Sequence, residues 1–187
     1  MPDFIQPLSR WRKIAKLKRK LEYSPSPGQD LYQIGALQVE NGNMKDGRRN
    51  LEKAHDLIQE HPDIEYYLGV ACIRMGALEI GKEALESALK INQKIKYGFP
   101  YVYLVEYSLK SKEPQEQIDA YMEKIFEYGN PRMYYEVGVV FQKEGYTEKA
   151  KEMFQKAQVS FRNSPSFLRK QQRYYVIMSK IRSFLQC

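Results

Sequence analysis

The chain has 187 residues, 43% of them apolar, with 15 tyrosines and a formal net charge of +7. This is enough apolar material for one sizeable core or a short repeat array, and too much for a chain that stays disordered. No run of 18 apolar residues exists, so nothing in the sequence spans a membrane as a helix, and two cysteines, Cys72 and Cys187, argue against a disulfide framework and for a reducing compartment.

The charge is uneven. Residues 1–22 carry a net +5, residues 162–187 a net +6, and the stretch between them a net −4. One continuous nucleic-acid surface along the molecule is therefore disfavoured. The first segment is charged from Arg10 onward and has no apolar stretch before a small-residue cleavage site, so it does not read as a secretory signal. It predicts a leading helix over about 5–22. Phe4, Leu8, Trp11, Ile14, Ala15, Leu17 and Leu21 gather on one side, and Arg12, Lys13, Lys16, Arg19 and Lys20 on the other. Such a helix either caps the fold with its apolar side or rests on an anionic membrane. Ser24-Pro25-Ser26-Pro27-Gly28 reads as a hinge, placed at 23–27.

Four helix pairs follow, at about 28–42 with 44–60, 63–75 with 78–92, 98–111 with 114–128, and 131–144 with 147–161. Turn signals separate them at Asn41-Gly42-Asn43, Gly76, Pro114 and Gly145, and Pro62 and Pro131 stand where new units begin. A closing helix is expected at about 166–186. Phe167, Leu168, Tyr174, Tyr175, Ile177, Met178, Ile181, Phe184 and Leu185 cover a wide arc of it, with Arg169, Arg173 and Lys180 on the opposite stripe.

The pairs repeat one another. Gly35 is followed at fixed offsets by Gly47, Leu51 and Ala54. Gly69 is followed at the same offsets by Gly81, Leu85 and Ala88, and Gly138 by Ala150, Phe154 and Ala157. An aliphatic residue precedes each glycine: Ile34, Leu68 and Val137. Between them fits a degenerate unit centred on Glu106, with Ile118, Met122 and Ile125, after a longer entry segment from Lys94 to Pro100. Small residues on both helices of a pair let the backbones approach closely, and the larger residues fill the space that remains.

These residues resemble the tetratricopeptide repeat, over roughly residues 28–161. Gly138-Val139-Val140-Phe141, Gly145-Tyr146, Ala150, Phe154 and Ala157 carry the likeness most fully. The layout is also similar to bacterial members of the family that start with a membrane helix and arginines, although that helix is lacking here. The resemblance implies an all-α, right-handed superhelical α-solenoid of about four helix-turn-helix repeats, with flanking N- and C-terminal helices as caps. It also implies that the first helix of each pair lines a concave face. Three residues before each reference position stands a tyrosine: Tyr32, Tyr66, Tyr103 and Tyr135. Val70, Ile73, Arg74, Tyr107, Lys110 and Lys143 complete the face, with Arg74, Lys110 and Lys143 as a basic edge. Tyrosine suits partner recognition because it offers a rigid ring and a hydroxyl, and it equally suits a structural role. Some relatives clamp a chaperone's terminal carboxylate with lysine, asparagine and arginine. The tyrosine and aliphatic residues here argue against that ligand.

No catalytic constellation stands up. His55 and His61 lack the spacing of a helical metal pair, Cys72 falls at a core position, and no glycine-rich phosphate loop occurs. Glu83 with Glu86 and Glu148 with Glu152 read as solvated faces. The expected function is a cytoplasmic protein-interaction scaffold without enzyme activity, cofactor or metal, holding a protein or peptide partner in the concave groove. The alternative is a peripheral binder of membranes or anionic polymers through Arg12, Lys13, Lys16, Arg19, Lys20, Arg169, Arg173 and Lys180. Self-association through a terminal helix is a third option.

Overall fold

The computed structural model describes residues 6–185, with side chains from Ser9 to Phe184. Among these residues every regular element is helical. Phe4 and Cys187, named above, lie outside the described part. The chain divides into two compact units, one ending at Ile95 and one beginning at Lys96.

The first unit holds α1 (Gln6–Leu21), α2 (Pro27–Glu40), α3 (Met44–Leu57), α4 (Pro62–Met75) and α5 (Leu78–Ile91). The second holds α6 (Phe99–Lys110), α7 (Gln115–Tyr128), α8 (Pro131–Lys143), α9 (Thr147–Asn163) and α10 (Ser166–Leu185). Local chemistry sets the starts. Pro27, Pro62 and Pro131 open their helices, where a missing N–H costs nothing. Asn43 and Asn130 accept backbone N–H bonds from Asp46 and Arg132, at 3.3 and 2.8 Å. Gly76 and Gly129, at φ 85° and 60°, end α4 and α7 in the left-handed region.

Two features depart from the periodicity. Helix α3 stops at Leu57, short of the expected residue 60, because Ile58 is extended and Glu60 takes φ 54°. Pro62 in turn holds His61 extended. The segment Ile95–Gly98 forms a short 3₁₀ turn in which Lys96, Tyr97 and Gly98 all have positive φ. No hydrophobic spacing announces such a turn.

The pairs α2 with α3, α4 with α5 and α8 with α9 pack tightly, through the glycines of the repeat. A Cβ on Gly35 would sit 2.6 Å from Leu51 Cγ, one on Gly69 2.6 Å from Leu85 Cγ, and one on Gly138 2.6 Å from the Phe154 ring. Leu51, Leu85 and Phe154 are fully buried there. Burying each contributes roughly 1.5–3 kcal/mol relative to leaving it in water. The Glu106 pair packs less closely. Glu106 is itself buried, with its carboxylate 2.8 Å from Lys110 Nζ one turn on in the same helix, so side-chain bulk stands where the other pairs have close backbone approach.

The two ends are covered. Ile14 of α1 is buried, Arg10 reaches Glu40 at 3.5 Å, and Lys20 reaches Asp30 at 3.0 Å. The Ser24 hydroxyl also donates to Asp30, at 2.5 Å, so the Ser/Pro stretch is tied to α2. That hydroxyl first, and Lys20 second, hold the Asp30 carboxyl below the usual carboxylate range. Helix α10 packs on α8 and α9, with Val176 and Ser179 buried.

Candidate functional site

The expected site residues separate by burial. Tyr66, Val70 and Ile73 in the first unit, and Tyr107 and Tyr135 in the second, are all buried. Tyr32 and Tyr103 are half-buried, Arg74 and Lys143 exposed, and Lys110 is held by Glu106. Half of the ten residues are therefore buried and present no surface of their own. Hydroxyl partners fix several of them. Tyr107 donates to Glu113 at 2.9 Å, and the Tyr135 hydroxyl accepts from Arg182 Nε at 3.3 Å. Arg182 also donates to Gln142, and Tyr175 leans on Tyr135 with ring centroids 5.7 Å apart. The chain's own closing helix thus covers Tyr135.

The first unit keeps an accessible aromatic group. The Tyr32 ring lies 5.0 Å from the His61 ring and 6.4 Å from that of Tyr67, and Tyr66 meets Tyr67 edge-on at 5.0 Å. Tyr67 donates to Glu40 Oε1 at 2.7 Å. Tyr67, His61 and Asp63 were not in the expected face, whereas Glu40 falls on it by its offset from Gly35. Tyr67 lies one residue beyond the repeating tyrosine, and His61 and Asp63 come from the start of α4, which only folding brings to Tyr32. The group is acidic in character. Burial first, then the carboxylates of Asp63 and Glu40, push the Tyr32 hydroxyl up to about 12. Burial and the bond to Glu40 push Tyr67 upward as well.

A pH dependence follows. A tyrosine whose folded value lies above its unfolded value of about 10 contributes stability below pH 10, and that stability is lost as pH rises towards 12. The tyrosinate absorbance difference between the wild type and Tyr32→Phe is therefore expected to titrate near 12. A difference curve centred near 10 would refute the enclosed setting of Tyr32.

A second concavity, which the repeat pattern does not reveal, lies among α3, α4 and α5. It encloses about 410 Å³, with Leu68, Cys72, Ile80 and Ala84 among its apolar lining and Glu52, Asp56, Glu65 and Glu83 among its acidic lining. His55 Nδ1 stands 2.7 Å from Glu65 Oε1. Burial pushes the Cys72 thiol up, which favours its protonated form. Among the described residues no group of three or more His, Cys, Asp or Glu side chains is arranged to hold a metal.

The basic residues also divide. Arg12, Lys13, Lys16 and Arg19 are exposed, as is Trp11, while Lys20 is paired with Asp30. Arg169 donates to the carbonyls of Ser164 and Arg162 at 2.9 and 3.0 Å, closing the C-terminal end of α9. Arg173 and Lys180 are exposed. No described helix is long and apolar enough to cross a membrane.

Comparison with known proteins fits this architecture. Residues 131–158 match the family model described as tetratricopeptide repeat. No curated protein matches the chain by sequence. Among solved structures, MamA superposes with a TM-score of 0.61 at 22% identity, over 80% of this chain and 87% of that one. TTC0263 of Thermus thermophilus, a thermophilic TPR protein, superposes with 0.64 at 16% identity, over 90% and 89%. YrrB, described as a TPR protein with an unusual peptide-binding site, superposes with 0.57 at 21% identity, over 81% and 78%. At these identities the likeness establishes the all-α helical-repeat fold.

Proposed function

We propose that this chain, a tetratricopeptide-repeat protein in fold with a recognisable repeat at residues 131–158, is a protein-interaction scaffold that holds a peptide segment of a partner. The reading assigns the peptide to the first helices of the pairs. Tyr32 and Arg74 are the accessible members of that face in the first unit, and Tyr103 and Lys143 those in the second. Tyr66, Val70 and Ile73 in the first unit and Tyr107 and Tyr135 in the second are buried, and Lys110 is held by Glu106. YrrB, which shares the fold, has a peptide-binding site, and that fact supports the reading by analogy.

One observation carries the assignment. Tyr32 is half-exposed, and its ring is braced by His61 and Tyr67. A ring already held in place loses little freedom when a ligand stacks on it, so more of the contact energy appears as affinity. The carboxylates of Glu40 and Asp63 nearby favour a cationic side chain on that ring.

The test is a displayed random-peptide library selected on the full chain. Selected peptides are expected to bind Tyr32→Ala at least about tenfold more weakly, the loss of one anchoring aromatic contact. Tyr32 is preferred to Tyr66 for the variant because Tyr66 is buried, and its removal would disturb the fold. Peptides that bind Tyr32→Ala and Arg74→Glu as well as the wild type would place the site elsewhere.

A further inference from the structure

Helix α10 has two apolar faces. One is docked: Tyr175, Val176 and Met178 pack against the core of the second unit, and Ser179 and Arg182 face the same way. The other lies on the opposite side and is open. Phe167, Tyr174, Ile177, Ile181 and Phe184 are 75%, 45%, 49%, 46% and 80% exposed. Together with Lys170 they follow each other at intervals of three and four residues, the spacing of a coiled-coil seam. A helix that merely closes a repeat array presents a polar outer face. This one does not.

We propose that the open face of α10 is a docking seam for an α-helix of another protein, one with apolar residues along its own seam and carboxylates along one edge. This goes beyond the peptide site on the first helices and does not depend on it. Three observations select this occupant. The stripe is narrow, about two residues per heptad, where a helix lying in a membrane interface buries a broader arc. Helix α10 contains no acidic residue, and Arg173 and Lys180 run along a single edge of the stripe. The opposite edge carries the uncharged Gln171. A partner is therefore matched by acidic residues on one edge, which also sets its orientation. Thirdly, a second copy of α10 fits poorly. Parallel pairing sets Lys170 against its counterpart inside the seam, and antiparallel pairing sets Arg173 beside the counterpart of Lys180.

The probe is a labelled synthetic helix of four heptads, with Leu and Ile on its seam and Glu along one edge, followed by fluorescence anisotropy with the full chain. A matched peptide with Lys in place of Glu is the control. The Glu peptide is expected to bind and the Lys peptide not, with binding that weakens as salt rises. Ile177→Glu with Ile181→Glu is expected to raise Kd about tenfold or more. Arg173→Glu with Lys180→Glu is expected to exchange the preference, so that the Lys peptide now binds. Those two residues are exposed, and that variant keeps the fold even if the isoleucine variant loses it, as a melting curve will show. Equal binding of both peptides, or no exchange of preference, overturns the proposal. So does sedimentation showing a dimer of the chain alone that the isoleucine variant abolishes. Association with vesicles containing about one-third phosphatidylserine, lost in the same variant, likewise assigns the face to lipid and overturns it.

Discussion

Gly69→Val is expected to destabilise the first unit by about 3 kcal/mol or more, at the upper end for overpacking a close-packed interior. The reason is geometric. The first added carbon already falls 2.6 Å from Leu85 Cγ, 2.8 Å from Leu85 Cδ2 and 2.9 Å from the carbonyl oxygen of Gly81. Leu85 is fully buried and has nowhere to go, and the carbonyl belongs to the facing helix backbone. The clash is relieved only by prising α4 from α5. Shortening Leu85 does not rescue it, because the Gly81 oxygen stays. Gly138→Ala differs, since the three atoms nearest its new Cβ are all of the Phe154 ring, at 2.6, 2.7 and 3.2 Å. Phe154→Leu is therefore expected to recover part of the Gly138→Ala loss. Urea denaturation of both pairs checks this, and equal rescue at Gly69 and Gly138 would show that the backbone contact is not the deciding one.

Phe154→Ala is expected to cost about 3–5 kcal/mol, the range for emptying a fully buried aromatic site. Phe154 is 0% exposed and fills the space over Gly138, with the Tyr135 ring 6.0 Å away. Its loss opens a cavity at the centre of the α8 and α9 pair, on which α10 also rests. The loss should therefore reach α10, seen as faster amide exchange across 174–182 than in Phe154→Leu. A loss below about 1 kcal/mol would mean the site collapses freely, contrary to the close packing of this core.

Both predictions use residues that the repeat offsets single out. The offsets were readable because each contact joins residues that recur within one helix pair: Gly35 with Leu51, Gly69 with Leu85, Gly138 with Phe154. Contacts of that kind are local, so they leave a periodic trace in the chain. Glu106 shows where the trace weakens. A buried carboxylate, paired with Lys110 one turn on in the same helix, stands where the other units have a small residue, so the glycine offset is lost there.

The candidate sites were less legible. A tyrosine at each repeat marks a position on a helix but not its exposure. Tyr135 is covered by Arg182 and Tyr175, 47 and 40 residues further along, and Tyr32 owes its bracing to His61 and Tyr67. The concavity beside His55 needs three helices at once.

The sequence by itself determined the helices, their pairing and the register of the repeat, because these rest on spacing, small residues and caps acting within about 34 residues. Only the tertiary structure decided which apolar residues remain in solvent. Helix α10 carries apolar residues over a wide arc, and composition cannot divide that arc into two faces. Packing against α8 and α9 consumed one side, through Tyr175, Val176 and Met178, and left Phe167, Ile177, Ile181 and Phe184 in the open. Burial is a property of neighbours, and the neighbours are supplied by the fold.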